Sequence, residues 1–464
     1  MSVTSTPRTS ALSLLAAVPF YRGAAVALLL SGLGFSAAAP QIATFVVREL
    51  DASLTTAGLY YLTNLTAPVA GYLIGARSDR TGKRLGLFRL CAAIGGLGWA
   101  GIALSTQLWM PFVLSALALA VAGAATSQLF AALHDELEAR PSPANDGVVA
   151  VVRMALTAGW VIGPVLGTML AAQVGSRGML LATAAATLAQ VVPLGLHRER
   201  GAAGHGLEGA VDGSADGSAV AVGADGGAAA AVLERPEGAA GTAAHAPRTD
   251  GAADRRAGGA TAVPASVPVG RPGLVEMLPL LAFTSLYVCV YAGESIKYAY
   301  LPLYMADELQ LPAGISGAVI GLQPLVELVL MPFAIVLGRR LGMLRLMILG
   351  AAAGVAANLL FSLSGTAAGL FAGQVLMGGV WGVFAVLGII VAQRLLPGAV
   401  ATASAVFLSS TAISSALGGA LGGIGAGAIG LPLVFLLPAA LGVVAMIGLA
   451  LMDRRLGDRV ERTA

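Results

Sequence analysis

The chain has 464 residues, 57% of them hydrophobic and only 11% charged, with a net charge of +3. A soluble domain carries roughly a quarter of its residues as charges, so this chain has too few to cover a water-facing surface and needs the bilayer as its solvent. Its arginines fall in short runs between apolar stretches, which excludes a nucleic-acid surface and points instead to membrane orientation.

In chain order, residues 11–20 form a short apolar stretch flanked only by Arg8. It is too short to span and too weakly flanked for a signal peptide, so a cytoplasmic amphipathic lead-in is expected. Runs of the roughly 20 apolar residues that a span needs then begin near Ala24, Leu54, Leu85, Trp109, Val148 and Met179. Residues 197–272 break the pattern: Gly and Ala dominate, with scattered charges and prolines, so a disordered cytoplasmic linker is expected. His205 and His245 lie in it without a partner at ligand spacing, which fits a solvated segment better than a metal site. Further runs begin near Val275, Ala313, Met343, Ala367, Ala401 and Leu431. Strands of a membrane barrel would alternate in polarity, so these runs predict an all-α membrane protein of about twelve transmembrane helices in two six-helix bundles. The expected divisions are 1–22 (N-terminal segment), 23–196 (first bundle), 197–272 (linker), 273–452 (second bundle) and 453–464 (tail). Cys91 and Cys289 sit in apolar runs without a spacing motif and read as buried free thiols.

Arg77, Arg80, Lys83 and Arg84 follow the second run, Arg339, Arg340 and Arg345 the eighth, and Arg454, Arg455, Arg459 and Arg462 the last. The connections on the other side hold Arg48 and Arg177 with Glu49, Asp51, Asp307 and Glu308. The positive-inside rule then places both termini and the linker in the cytoplasm, with the chain in the cytoplasmic membrane.

The halves echo each other. Arg48-Glu49-Leu50-Asp51 with Gly58 matches Asp307-Glu308-Leu309-Gln310 with Gly317, and Asp79-Arg80-Thr81-Gly82 matches Arg339-Arg340-Leu341-Gly342 with a slip of one. Gly163-Pro164-Val165-Leu166-Gly167 matches Gly418-Gly419-Ala420-Leu421-Gly422. Parallel repeats of six helices, with a substrate site between them near the midplane, are a transporter plan.

Residues 75–84, with Gly75, Asp79, Arg80, Gly82, Lys83 and Arg84, resemble the loop between the second and third helices of the major facilitator superfamily. That resemblance implies a latch closing the cytoplasmic side; the plainer alternative is a basic loop serving topology alone. Gly75 and Gly82 are too far apart for a phosphate loop, and no ATP-hydrolysing site is present elsewhere. Gly159, Gly163 and Gly167 lie a turn apart around Pro164 and offer a smooth face to another helix. The stretch resembles the exporter signature of the same superfamily, against the alternative of generic small-residue packing.

Ionisable groups within spans are costly and tend to be functional. Arg153 is in the fifth run, where Asp135 or Glu136 is within reach as a partner, and Glu294 and Lys297 in the seventh can neutralise each other on one face. Glu327 in the eighth run has no local partner, beside Gln323 and Pro324, and is the leading candidate for proton exchange, against a structural hydrogen-bonding role. Gln41, Asn64, Gln128, Trp160, Tyr287, Tyr291, Tyr298, Gln323 and Gln374 add amides and aromatic rings, a set suited to a polar, neutral cargo.

Nearly the whole chain outside the linker resembles the bacterial sugar efflux transporters of the major facilitator superfamily. The resemblance rests on residues 75–84, Gln128-Leu129-Phe130-Ala131, Arg153 with Trp160-Val161-Ile162-Gly163-Pro164, Leu301-Pro302-Leu303-Tyr304, Glu308-Leu309-Gln310-Leu311-Pro312, Glu327 with Arg340-Leu341-Gly342, and Leu396-Pro397-Gly398. It implies a non-enzymatic monomer that needs no cofactor or metal and exports small sugars or glycosides in exchange for protons. The alternatives are a multidrug or metabolite exporter on the same scaffold and, in another class, a non-transporting sensor or scaffold. The long Gly/Ala linker and the Glu294–Lys297 pair depart from the family's pattern.

Overall fold

The computed structural model describes residues 11–195 and 273–461, so the linker and the outermost ends fall outside the described residues. A seven-residue helix, Ala11–Ala17, precedes the first span, with Leu14 and Leu15 packed on the first bundle. The first bundle then contains α1 (Pro19–Ala38), α2 (54–81), α3 (Arg84–Ala103), α4 (Trp109–Glu138), α5 (145–174) and α6 (176–189). The second contains α7 (Leu274–Leu303), α8 (Ala313–Leu341), α9 (Met343–Leu363), α10 (Ala367–Leu395), α11 (Val400–Ile429) and α12 (Leu436–Glu461). No strand occurs among the described residues.

Span α2 is assembled from Leu54–Leu59, a 3-10 segment Tyr60–Thr66, and Ala67–Thr81. Its tightening has local causes. Thr63 and Thr66 donate their hydroxyls to the carbonyls of Tyr60 and Thr63, both at 2.8 Å, and Pro68 can neither donate to the ladder nor tolerate a regular turn beneath its ring. Between α5 and α6 the chain is broken at Gly175, at φ 78° and ψ 169°.

The repeat read from the sequence is present in the backbone. Gly82 ends α2 at φ 63°, and Gly342 ends α8 at φ 93°, both in the region that a side chain disfavours. The pairing of helices repeats as well. A Cβ on Gly163 would lie 2.7 Å from the carbonyl of Leu33 in α1, and one on Gly418 would lie 2.8 Å from the Cα of Ala292 in α7. Helix α5 is thus laid on α1 as α11 is on α7, backbone to backbone.

The bundles meet along two such seams: α2 against α11 and α5 against α8. Gly58 faces Gly419, Gly423 faces Thr55, and Gly317 faces Val165. Arg48 pairs with Asp307 across the gap, and the Tyr300 hydroxyl donates to the Leu54 carbonyl at 2.9 Å. These contacts lie towards the α1–α2 end. At the opposite end Arg77, Arg80 and Lys83 of one bundle and Arg339 and Arg340 of the other are exposed. Leu97, Leu117, Leu349 and Ile447 are among the large apolar residues left on the outer surface, as a bilayer-embedded protein requires.

Candidate functional site

Three helices of the second bundle converge on a polar cluster: α7 supplies Glu294 and Lys297, α8 Gln323 and Glu327, and α10 Trp381, each 5% exposed or less. Lys297 Nζ donates to Glu294 Oε1 at 2.7 Å and also to Gln323 Oε1. Gln323 Nε2 donates to the same Glu294 oxygen at 2.8 Å, and Trp381 Nε1 donates to Glu294 Oε2 at 2.8 Å. Removal of two charges from water is tolerable only with this degree of pairing. The expected Glu294–Lys297 neutralisation is therefore formed and is reinforced from two other helices.

Glu327 lies one turn beyond Gln323, within electrostatic reach of Glu294 and Lys297, yet it makes no hydrogen bond or ion pair among the described residues. The cluster thus holds two carboxylates and one ammonium. Aromatic rings close it off: Tyr291 meets Trp381 edge-on at 4.7 Å, and Tyr287 meets Phe407 at 4.6 Å. Trp381 and Phe407 were not legible as part of the site; an indole N–H in an apolar span, which must find an acceptor, was the available signal.

Beside this cluster is a pocket built by the first bundle. Its walls include Phe35, Tyr60, Tyr61, Asn64 and Trp99, from α1, α2 and α3, and one residue of the second bundle, Tyr298. Asn64 Nδ2 donates across the bundle interface to Ser415 Oγ of α11 at 2.7 Å. Trp160 backs the pocket, 5.4 Å from the ring of Phe35. Aromatic faces with an amide among them match a ligand that has apolar ring faces and hydroxyl edges.

Of the other residues singled out by sequence, Gln41 is drawn away to Thr168 Oγ1 at 3.3 Å. Gln128 and Gln374 are buried apart from the cluster; among the described residues the Gln128 carbonyl oxygen and both polar atoms of the Gln374 side chain have no hydrogen-bond partner. Arg153 does not pair with Asp135 or Glu136. Asp135 is taken by Arg84, Nε to Oδ2 at 2.5 Å, and Glu136 by Arg140 at 3.1 Å, so the Arg153 guanidinium lies instead over the ring of Phe130 at 5.7 Å.

Within the 75–84 motif, Gly82 makes the tight turn, Arg84 links Asp79 (3.3 Å) to Asp135 of α4, and Arg80 and Lys83 are exposed. Gly75 has open space around it and meets no neighbour that would require a glycine. In the α5 motif, Gly159, Gly163 and Gly167 all face α1, and Ser36 of α1 donates to the Gly159 carbonyl at 3.0 Å. The opposite face of α5, with Val161 and Val165, meets Gly321 and Gly317 of α8. Among the described residues no group of three His, Cys, Asp or Glu side chains converges as a metal site, and both cysteines are free thiols.

The chain is similar to proteins of known family. A protein of Deinococcus radiodurans that carries the name sugar efflux transporter is 25% identical over 429 residues, 92% of this chain and 96% of its own. Sugar efflux transporter A of Dickeya chrysanthemi is 24% identical over 401 residues, 85% of this chain and 86% of its own. Among solved structures, the nucleoside transporter NupG superposes with a TM-score of 0.69 at 13% identity, over 94% of this chain and 99% of its own. A bacterial homolog to the human lysosomal transporter Spinster, inward-facing and occupied, gives 0.64 at 12% identity over 94% and 96%. The model of the Major Facilitator Superfamily matches residues 24–231 and 283–463. The chain belongs to the Major Facilitator Superfamily and is a multi-pass membrane transporter rather than an enzyme.

Proposed function

We propose that the chain exports small sugars or glycosides across the cytoplasmic membrane in exchange for protons, by rocking its two bundles around a midplane site. The observation that carries this reading is the adjacency of an aromatic–amide pocket to a buried cluster with one more carboxylate than cations. The pocket suits a sugar, and Glu327, lacking a fixed partner, is the group that takes up and releases the proton. On the positive-inside orientation both termini and the linker are cytoplasmic and the α2–α3 end, with its exposed arginines, faces the cytoplasm. Asp79, Arg80, Gly82 and Arg84 then form the cytoplasmic gate in its released state, while the α1–α2 end is closed. Gly163 and Pro164 sit in the helix that contacts both α1 and α8, where a pivot belongs. The protein works as a monomer, and the linker is a tether between the bundles.

The test is uptake of labelled lactose and a thiogalactoside into everted vesicles, with and without an imposed proton gradient. Gradient-driven accumulation that is lost in Glu327→Gln supports sugar–proton antiport; no accumulation by folded protein overturns it. The mostly apolar walls of the pocket favour a second reading, a multidrug or metabolite exporter. Dye efflux without lactose uptake would select it.

A further inference from the structure

Tyr298 belongs to the second bundle but is the residue of that bundle that lines the pocket of the first. Its neighbour in sequence, Lys297, turns back so that the ammonium lies 4.5 Å from the centre of the Tyr298 ring. The same ammonium holds Glu294 and Gln323. One residue therefore both lines the ligand pocket and carries its ring against the single cation of the carboxylate cluster. The ring is 5% exposed, so it is confined by both.

We propose that Tyr298 is the positioning residue that couples occupancy of the first bundle's pocket to the charge state of the second bundle's carboxylate cluster. The inference rests on the antiport reading above. While the ring lies over Lys297, it holds the ammonium on the Glu294 and Gln323 side by a cation–π contact in a desolvated site. A ligand pressing on the ring, or parting of the bundles that withdraws the pocket wall, displaces the ring and releases the ammonium towards Glu327. With the ammonium beside it Glu327 gives its proton up, while Glu294 stays ionised, still held by the N–H donors of Gln323 and Trp381, so the cluster loses one proton in all.

Other groups facing the cluster limit the alternatives. Helix α7 brings Glu294, Lys297, Tyr287 and Tyr291, α8 brings Gln323 and Glu327, α10 brings Trp381, and α11 brings Phe407. Lys297 is the only cation among these groups, so a change in its position must be felt by both carboxylates. Trp381, bonded to Glu294, is a built-in reporter.

The experiment uses the full chain in lipid nanodiscs. The pH dependence of tryptophan emission is recorded for the wild type, Tyr298→Phe and Tyr298→Leu. The component missing in Trp381→Phe identifies the Trp381 signal. Tyr298→Leu, which lacks the π face, is expected to move the Trp381 midpoint by about one and a half pH units, the scale of a desolvated cation–π contact. Tyr298→Phe keeps the face and is expected to retain the wild-type midpoint. An unchanged midpoint in monodisperse Tyr298→Leu, or the same displacement in Tyr298→Phe, overturns the proposal. Lactose and methyl thiogalactoside are then added as probes. Both are expected to move the midpoint in the wild type and in Tyr298→Phe but not in Tyr298→Leu; equal responses in all three overturn the coupling role. Should neither probe act on the wild type, the sugar reading fails, while the ligand-free midpoints still decide whether Tyr298 positions Lys297.

Discussion

A methyl group on Gly419 of α11 would lie 2.6 Å from the carbonyl oxygen of Gly58 of α2, closer than carbon and oxygen can approach. The two bundles thus touch by backbone at the α1–α2 end. A side chain there acts as a wedge, and overpacking of a tight contact costs about 1–3 kcal/mol. Gly419→Val is expected to disfavour the closed seam by about tenfold or more and to raise labelling of a cysteine placed at position 55, on the α1–α2 side. Unchanged labelling would mean that the seam is not closed in the resting protein.

The Glu294–Lys297 pair is buried and served from three helices. Removal of one partner strands the other charge, whereas removal of both does not. Lys297→Met alone is expected to cost about 3–5 kcal/mol of stability, and most of that should return in the double variant with Glu294→Gln. Thermal melting of the purified protein in detergent reads both. Additive losses would contradict the pairing.

Asp79 is bonded to Arg84 at an exposed site, and Arg84 keeps its second bond to Asp135 without it. Asp79→Asn should therefore slow turnover by up to about fivefold, the reach of an exposed ion pair, and leave substrate affinity unchanged. Equal turnover in counterflow of labelled lactose would remove Asp79 from the gate.

Deletion of residues 201–270 is expected to leave transport within about twofold of the full chain, because the helix seams hold the bundles together without that segment. Loss of transport at normal expression would give the segment a further role. A reporter enzyme fused after Ala464 should be active in the cytoplasm; periplasmic activity would invert the assigned orientation.

Most of the spans were legible because each is a long apolar run, and the repeat because matched turns need glycine at positive φ, as at Gly82 and Gly342. Glu294 and Lys297 were legible as a pair because their spacing of three is a helical neighbour relation. What escaped were contacts set by tertiary packing. Trp381 reaches Glu294 from 87 residues away, and Asn64 reaches Ser415 from 351. The partners within reach of Arg153, Asp135 and Glu136, are taken up for the same reason: Arg84 and Arg140 pair with them, and no local pattern ranks competing cations. The expected disorder of residues 197–272 concerns a segment outside the described residues.

The glycine seams have a kinetic consequence. Interlocked side chains would have to find their rotamers again each time the bundles came together, and that search costs conformational entropy. Where Gly58, Gly419 and Gly423 meet backbone, no such search is needed, since the surfaces have no torsions to reset beyond the rigid helices that carry them. The glycine part of the α1–α2 end can therefore part and reseal as two smooth plates, and the pace of the cycle passes to the groups that must be reordered: Arg48 with Asp307 and Tyr300 at that end, and Lys297, its carboxylates and the ring beside it.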